Sequence, residues 1–475
     1  MRVKKLIACI SLASLLVSST ACTSTDVDLE VAVGMPDFSA DVKTVGIDAW
    51  LGPQSTDREL AEYVECGYDF THWNSAGPGF YDNGPKAEVN ANMNAAFELC
   101  KKYGVKVILS KTAINMGQTS AKRFETYDSI YGETLEKWRN DETFYGVMLY
   151  DEPTFVLTVT VTGLNDVTVY EDTGKYLRDE YLYFSSKYPE KYMETVMLGA
   201  PAEDTKFPYQ SKYPTYADYI GHYYENVLQY TPYEKRVLSM DCYPFKLDRL
   251  GKPTRNRIFV QSLADLALEA EKYGVPEKWG YIQTYDYIVN GECVSYQYYT
   301  TMAFGYTHFV TYLYGADWGT KNCAVDKMGN RTEMWYYLKN AHDQVETMEN
   351  VYMRFADGWK GAIAVEGSAR GDYNRTWADE CPFLKGYDRI QSVEAKEDLI
   401  VGVMQDELGY DAFMLANQSL PYGNAENDVE ITFRKADKAI VFDGYEQKTV
   451  DLTDGKLSIR LKSGGGALVI PVKEV

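Results

Sequence analysis

Residues 144–153 read Phe144-Tyr-Gly-Val-Met-Leu-Tyr-Asp-Glu-Pro153, an apolar run that ends abruptly in two carboxylates and a proline. Its β-branched and aromatic residues indicate a buried strand. Apolar strands that alternate with helices favour a parallel sheet, and in parallel barrels the chemistry collects where the strands end. Asp151 and Glu152 therefore lie where a pair of acids can handle protons. The alternative is a turn, since Asp and Pro are also ordinary turn residues.

Strands and helices alternate on both sides of this segment. The predicted strands are Val45–Trp50, Phe70–Trp73, Lys106–Ser110, Phe144–Tyr150, Glu194–Gly199, Arg236–Tyr243, Trp279–Thr284 and Thr307–Leu313. A helix is predicted after each strand, and Gly67, Gly104 and Gly274 are predicted helix ends. Eight strands with eight helices predict an α/β fold, a (β/α)8 TIM barrel over residues 43–354. No Gly-x-Gly-x-x-Gly follows a strand, so no cofactor is predicted.

Two further segments differ from the barrel pattern. Residues 155–171 alternate with period two around Gly163-Leu-Asn-Asp166 and predict a hairpin inserted directly after the acid pair. Such a hairpin forms a substrate wall or simply packs on a neighbouring domain. From residue 357 to residue 475, short apolar runs separated by turns predict a C-terminal antiparallel β-sandwich domain.

The first residues predict export. A basic start, a short apolar stretch and small residues lead to Cys22, which indicates a signal peptide over residues 1–21. Ser19-Thr-Ala-Cys22 resembles the lipobox of bacterial lipoproteins. That resemblance implies lipidation at Cys22, a polar tether over residues 22–42, and a lipoprotein anchored to the membrane at the bacterial cell surface or facing the periplasm. A plain secreted protein with an incidental cysteine is the alternative.

Charge and composition exclude several partners. The formal net charge is −21, and loss of Arg2, Lys4 and Lys5 with the signal peptide makes it −24. Such a surface repels nucleic acid and anionic lipid, so neither is predicted as a direct partner. The six cysteines outside the targeting segment are scattered without a CxxC pair, and the four histidines are not closely spaced. No metal site is predicted.

Three stretches resemble a known class of enzymes. Tyr150-Asp-Glu-Pro153 looks like the fourth-strand Asn-Glu-Pro motif of retaining glycoside hydrolases built on a (β/α)8 barrel with a C-terminal β-sandwich, with Asp in place of Asn. Leu415-Ala-Asn-Gln-Ser419 and Gly464-Gly-Gly-Ala-Leu-Val-Ile-Pro471 look like the sandwich of such enzymes. The resemblance implies Glu152 as general acid and Asp151 as a neighbour that hydrogen-bonds the sugar. A second carboxylate beside Glu152 raises its pKa in the direction that an acid needs.

The second catalytic carboxylate is not evident. Enzymes of this class carry a glutamate at the end of strand seven, where this chain has Gln283 and then Asp286. Asp241, after strand six, and Asp286 are both candidates, although either can simply cap a turn. In hexosaminidases with an Asp-Glu pair the substrate's own acetamido group is the nucleophile, and Tyr285 could hold its oxygen here. A protein that binds glycan without cleaving it is the remaining alternative.

The other predicted strand ends supply residues that suit a sugar, which offers apolar faces rimmed by hydroxyls. The predicted substrate-binding residues are Asp48, Trp50, His72, Trp73, Asn74, Lys111, Tyr150, Tyr243, Gln283, Tyr285, Tyr314 and Trp318. Trp50 and Trp73 could equally be barrel packing, His72 a hydrogen-bonded structural residue, and Lys111 part of a salt bridge.

These observations favour a lipid-anchored glycoside hydrolase that cleaves O-glycosidic bonds of extracellular glycans. A non-catalytic glycan-binding lipoprotein is the main rival. A barrel enzyme of other chemistry, such as a lyase or a metal-dependent hydrolase, is less favoured because the sequence offers no cluster of metal ligands. The separation between Glu152 and a second carboxyl group distinguishes these readings, since about 5–5.5 Å is typical of retention and about 6.5–9.5 Å of inversion.

Overall fold

Eight parallel strands form the central sheet in the computed structural model, which describes residues 29–39, 43–73, 86–110, 124–125, 127–129, 131–153, 159–162, 167–170, 173–199, 213, 215–248, 250–256, 258–315, 322–368 and 383–474. The strands are β1 (Gly46–Ala49), β2 (Phe70–Trp73), β3 (Lys106–Ser110), β4 (Phe144–Asp151), β5 (Tyr192–Leu198), β6 (Val237–Asp241), β7 (Glu277–Gln283) and β8 (His308–Tyr312). From β2 to β8 each strand pairs with the next in sequence, and β8 pairs with β1. A parallel bridge between Trp50 and His72 closes the ring between β1 and β2. The predicted (β/α)8 barrel is confirmed.

Nine helices are described around the sheet. They are α1 (Asp57–Glu65), α2 (Lys86–Tyr103), α3 (Gly132–Trp138), α4 (Thr173–Lys187), α5 (Tyr216–Asn226), α6 (Ile258–Tyr273), α7 (Gly291–Met302), α8 (Glu333–Glu346) and α9 (Glu349–Ala356). Gly67, Gly104 and Gly274, which follow α1, α2 and α6, have φ values of 98°, 74° and 59°. Glycine reaches this left-handed region without a Cβ penalty, so it ends these helices as predicted.

The barrel is filled by side chains. Its interior holds Ile108, Met148, Val196, Val237 and Val310, one from each of five strands. Because successive residues of a strand point to opposite faces, the alternate residues face outward and pack on the helices. The interior is therefore a packed core, and ligands can approach only at its ends.

Two antiparallel sheets follow the barrel. Their strands are β9 (Trp359–Val365), β10 (Ile390–Ala395), β11 (Leu399–Gln405), β12 (Asp411–Asn417), β13 (Asn427–Phe433), β14 (Lys438–Phe442), β15 (Gln447–Asp451), β16 (Lys456–Leu461) and β17 (Gly466–Val472). The six-stranded sheet has the order β9-β11-β12-β17-β14-β15, and the three-stranded sheet has the order β10-β13-β16. Leu399, Phe413 and Ile431 belong to the core between them, which confirms the predicted β-sandwich.

Two short hairpins are attached to the barrel. Strands 159–162 and 167–170 pair antiparallel within the segment predicted as a hairpin. A second pair, Phe245–Leu247 with Pro253–Arg255, follows β6 and was not predicted. The helix predicted after the eighth strand, over Thr332–Tyr352, is in fact two helices, α8 and α9. None of the described helices is long and apolar enough to cross a membrane.

Candidate active site

Three carboxyl groups lie at the mouth formed by the carboxyl ends of the barrel strands. β4 ends at Asp151 and leads to Glu152, and β6 ends at Asp241. All eight strands are parallel, so their carboxyl ends lie at the same end of the barrel. Only β5 separates β4 from β6. Asp151 and Glu152 both act on the pKa of Asp241. The acid pair and Asp241 therefore share one site.

Asp241 is the carboxyl group that is most strongly perturbed. Burial raises its pKa well above the ordinary value, and the Glu152 carboxylate, a side-chain hydrogen bond with Glu152 and the Asp151 carboxylate raise it further. Its Oδ1 atom is buried, and no hydrogen-bond partner is found for it among the described residues. Two carboxyl groups in such contact cannot both ionise readily, so Asp241 binds a proton far more readily than an ordinary aspartate.

Asp151 has a milder shift. Its side chain is accessible to solvent at the mouth, but neighbouring protein atoms partly desolvate its carboxyl group. This desolvation raises its pKa to about 6, the carboxylates of Glu152 and Glu194 add to the rise, and His72 opposes it. Asp151 is therefore ionised for the most part at neutral pH, which suits a hydrogen-bond acceptor for a polar ligand.

The backbone at Glu152 is unusual. Its φ is 47°, in the left-handed region that residues with a side chain rarely adopt. Its N–H donates to the Val196 carbonyl on β5 at 2.9 Å. A backbone conformation of this kind costs about 1–3 kcal/mol and persists only where contacts with the surrounding structure hold it in place. The strained turn fixes the direction in which the exposed Glu152 side chain leaves the end of β4.

A layer of buried charges lies in the barrel interior. His72 Nδ1 is 2.8 Å from Asp48 Oδ2, and His72 Nε2 is 2.6 Å from Glu194 Oε2. His308 Nε2 is 3.1 Å from Asp48 Oδ2. We call Asp48, His72 and Glu194 the charged floor; all three are at most 1% exposed.

The charged floor holds its charge by mutual pairing. Burial alone lowers the pKa of His72, but the carboxylates of Asp48 and Glu194 outweigh it and raise that pKa to about 10. Burial likewise acts to raise the pKa of Asp48, and the two imidazoles outweigh it and bring that pKa below its usual range. His72 is therefore an imidazolium between two carboxylates at neutral pH.

Three tyrosines form an aromatic cluster beside Asp241. The ring of Tyr243 lies 5.5 Å from that of Tyr285 and 5.7 Å from that of Tyr312, and Tyr285 and Tyr312 are 5.4 Å apart. All three rings are half-buried. Burial, Tyr312 and the Asp241 carboxylate raise the pKa of Tyr285. An aromatic wall beside carboxylates is the arrangement that suits the apolar face of a sugar.

Several residues predicted to bind substrate lie beneath the surface instead. Asp48 and His72 belong to the charged floor, and three aromatic residues pack in the core: Trp50 near Tyr281, Trp73 on Phe97, and Tyr314 between Tyr63 and Tyr68. Their burial favours a role in supporting the site over direct contact with a ligand. Tyr150 is half-buried and its ring lies 6.1 Å from that of Tyr176.

The two residues after strand seven are also placed. Gln283 is buried, and both ends of its amide are engaged with the backbone. Its Oε1 accepts from the Phe245 N–H at 3.0 Å and its Nε2 donates to the Phe245 carbonyl at 3.1 Å. Asp286 is exposed, with φ 50°. It acts on the pKa of Tyr285 but is not among the groups that shift Asp151 or Asp241. Asp241 is therefore the better candidate for the second carboxylate.

Four predicted residues, Cys22, Asn74, Lys111 and Trp318, lie outside the described residues and stay predictions. In the described part of the chain, no three His, Cys, Asp or Glu side chains are arranged to hold a metal ion.

Sequence reasoning missed Glu194 and His308. Glu194 stands in Met193-Glu-Thr-Val-Met197, an otherwise apolar strand. A lone charge in a buried strand needs a partner, and that signal could have identified it. His308 stacks on Trp279 with ring centroids 4.1 Å apart. Nothing in the local sequence indicates its contact with Asp48, because the two residues are 260 positions apart.

Comparison with known proteins gives only distant similarities. No protein-family model matches the chain, and no curated protein matches it. Among solved structures, a family 5 glycoside hydrolase from Bacteroides vulgatus has 10% identity and a TM-score of 0.49, covering 90% of this chain and 89% of its own. A family 39 glycoside hydrolase from Bacteroides cellulosilyticus has 10% identity and a TM-score of 0.47, covering 90% and 80%. An endo-β-1,4-mannanase from Thermotoga petrophila has 12% identity and a TM-score of 0.37, covering 90% and 99%.

Proposed function

We propose that this protein is a glycoside hydrolase that cleaves O-glycosidic bonds of extracellular glycans, with Glu152 as general acid and Asp241 as the second carboxylate. The supporting observation is the contact between these two groups at the mouth of the barrel, which raises the pKa of Asp241. A pair that holds one proton meets the basic requirement of the reaction, since one carboxyl group must donate a proton while the other is ionised.

The proton count of the pair is consistent with this chemistry. In the free protein the proton resides on the more buried Asp241. Glu152, which is exposed, is the member that reaches the oxygen of the leaving group. Transfer of the proton from Asp241 to Glu152 prepares the acid and leaves Asp241 ionised. Glu152 then protonates the departing oxygen, and Asp241 attacks the anomeric carbon or accepts a proton from water.

A bound sugar must separate the two carboxyl groups. A side-chain hydrogen bond with Glu152 contributes to the raised pKa of Asp241, whereas the two carboxyl groups of retaining enzymes are typically about 5–5.5 Å apart. The exposed Glu152 is free to swing outward when a sugar enters. In this scheme Asp151, largely ionised at neutral pH, hydrogen-bonds a hydroxyl of the sugar.

Two other modes have specific support. Substrate-assisted cleavage of an N-acetylhexosaminide is supported by the adjacent Asp151 and Glu152 and by Tyr285 in the aromatic wall. Glycan binding without cleavage is supported by Gln283, an amide engaged with the backbone where retaining enzymes of the resembled class carry their nucleophile.

The decisive experiment compares Glu152→Gln with wild type on a natural glycoside and on its nitrophenyl counterpart, after a panel of chromogenic glycosides that includes N-acetylhexosaminides. General acid catalysis contributes about 10²–10⁴-fold, so turnover of the natural glycoside should fall by that order. The nitrophenyl substrate should lose much less, because its leaving group needs little protonation. Asp151→Asn should slow both substrates.

Glu407→Gln is the matched control, since it makes the same change at an exposed carboxylate of the sandwich. Full activity of Glu152→Gln on the natural glycoside would refute Glu152 as the acid. If Asp241→Asn alone shows the dependence on leaving group, Asp241 is the acid. A wild type that binds one glycan of the panel and cleaves none would establish the binding protein instead.

We also propose that the mature chain is anchored to the membrane through lipid on Cys22. The support is the sequence alone: a basic and apolar leader followed by small residues and this cysteine. Because acyl chains supply the affinity, Cys22→Ala should move the protein from the membrane fraction to the soluble fraction of the cells that produce it. Unchanged retention of Cys22→Ala in the membrane fraction would contradict the proposal.

A further inference from the structure

The charged floor is built from corresponding positions of three strands. Asp48, His72 and Glu194 are each the third residue of their strand, in β1, β2 and β5. The Trp50–His72 bridge brings β1 and β2 together and so places Asp48 near His72, and the pairing of β1 with β8 brings His308 near Asp48. The contacts of 2.8 Å and 2.6 Å span the barrel interior from β1 to β5.

Strand register places this floor directly under the acid pair. Glu194 pairs with Met148, and Val196 pairs with Asp151. Glu194 and Val196 point to the same face of β5 because they are two residues apart, and Val196 is part of the interior core. Glu194 therefore lies in the interior one layer below the level of Asp151.

We propose that His72 is a positioning residue for the reaction: its imidazolium, fixed between Asp48 and Glu194, is the cation that keeps Asp151 ionised and able to hold substrate. The role assigned to Asp151 rests on the proposed function. The effect of His72 on the charge of Asp151 does not, and it can be measured without a substrate.

The other groups that act on Asp151 are mostly acidic, and His72 opposes them. Glu152 beside it, Glu194 on β5 and Asp241 on β6 are carboxyl groups, and the phenols Tyr150, Tyr243 and Tyr281 also lie within its electrostatic reach. Burial and the two carboxylates Glu152 and Glu194 favour the neutral form of Asp151. In the described part of the chain, His72 is the cation that opposes them.

A purely structural ion pair would make a different prediction. If the floor only supports the barrel, loss of either partner should reduce stability and leave the titration of Asp151 in place. If His72 acts on Asp151, His72→Gln removes a cation and Glu194→Gln removes an anion, so the two changes should move the pKa of Asp151 in opposite directions. Asp48 still pairs with His72 in Glu194→Gln and keeps it protonated.

The experiment is a pH titration of ¹³C-carboxyl-labelled aspartates by NMR in the full chain, with the Asp151 signal identified by its loss in Asp151→Asn. We expect His72→Gln to raise the midpoint and Glu194→Gln to lower it. Shifts in the same direction, or no shift in either variant, would overturn the proposal. If His72→Gln does not fold, His72→Asn takes its place, and an Asp151 midpoint that does not rise in that variant would overturn the proposal.

Kinetics provide the second measurement. In His72→Gln the acidic limb of the pH profile of kcat/KM should move upward by the same amount as the NMR midpoint, because Asp151 stays protonated to higher pH. A lower rate with an unshifted limb would mean that His72 is only structural. Opposite NMR shifts in a protein that cleaves no glycoside would support the effect of His72 on Asp151 and refute the proposed function.

Discussion

Gln283 shows how a residue at the end of a strand can stabilise the backbone around a site. Its amide accepts from the N–H of Phe245 and donates to the carbonyl of Phe245. A glutamate could accept the first bond, but an ionised glutamate could not donate the second. Phe245 lies four residues after Asp241, so the amide holds the loop that follows the proposed second carboxylate. Glutamine is suited to this position because it satisfies both the N–H and the carbonyl of Phe245.

Asp69 should make the stability of the protein depend on pH. It is half-buried, and its Oδ1 accepts from the Ile47 N–H at 2.8 Å. Burial raises its pKa to about 7, although this hydrogen bond and Lys106 oppose the rise. A carboxyl group with a raised folded-state pKa contributes stability that is fully present below its unfolded pKa of about 4 and is lost as the pH rises through about 7.

The measurement is the free energy of unfolding by urea at pH 5 and pH 8. The decrease between these values should be smaller in Asp69→Asn than in wild type, because the amide keeps an oxygen for Ile47 and does not ionise. Asp388→Asn, an exposed aspartate of the sandwich, should keep the wild-type decrease. An unchanged decrease in Asp69→Asn would show that this carboxyl group does not cause it.

Some residues of the site could be predicted from sequence and others could not. Asp151 and Asp241 follow apolar runs, and in a parallel barrel such positions converge. Whether a polar side chain faces the ligand or the core is decided by partners distant in sequence. His72 and Glu194, 122 positions apart, are such a pair. That is why His72 was placed in the pocket and Glu194 was missed.

At the scale of elements, Asn290 connects a helix of the barrel to the sandwich. It caps α7, with Oδ1 accepting from the Cys293 N–H at 3.1 Å, and its Nδ2 donates to the Pro421 carbonyl at 3.0 Å. Asn290→Ala removes both interactions and should lower the free energy of unfolding by about 1–2 kcal/mol.

Asn290→Asp separates the two contributions. Aspartate caps a helix as well as asparagine does but cannot donate to Pro421 when ionised. Urea unfolding at neutral pH should therefore place Asn290→Asp between wild type and Asn290→Ala. If Asn290→Asp is as unstable as Asn290→Ala, the contact with Pro421 carries the whole effect; if Asn290→Ala matches wild type, neither interaction stabilises the fold.

Predictability at this scale depends on the strength of the local pattern. All eight barrel strands were predicted because each is an apolar run between turn residues or helix caps. The hairpin Phe245–Leu247 with Pro253–Arg255 was missed because its strands have three residues each and are largely polar and exposed. The break between α8 and α9 was missed because Thr347 and Met348 are not helix breakers.

At the scale of the whole molecule, the barrel and the sandwich are joined by buried polar contacts. Gln418, which follows β12, accepts from the Tyr296 hydroxyl at 2.9 Å and donates to Thr300 Oγ1 at 3.0 Å, both on α7. Its carbonyl accepts from Arg255 Nη1 at 2.8 Å. Gln418 is only 2% exposed. These bonds fix the sandwich against the barrel helix that connects β7 with β8.

The backbone of β11 is in close contact with the backbone of the barrel at the same interface. Gly402 on β11 lies against Ala303, the residue after α7, and a Cβ at Gly402 would fall 2.2 Å from the Ala303 carbonyl oxygen. That oxygen also accepts from Trp359 Nε1 at 3.0 Å. Because backbone cannot move aside as a flexible side chain can, Gly402→Ala should force the two domains apart locally and weaken this hydrogen bond.

Overpacking of this kind typically costs about 1–3 kcal/mol, so Gly402→Ala should unfold at a clearly lower temperature than wild type. Gly423→Ala is the matched control, since a Cβ there meets no atom within 4 Å, and it should unfold near the wild-type temperature. If the barrel and sandwich unfold as one unit, calorimetry should show a single transition in all three proteins. A Gly402→Ala protein as stable as the control would contradict the close contact between β11 and Ala303. Two transitions in wild type would show instead that this interface does not couple the domains.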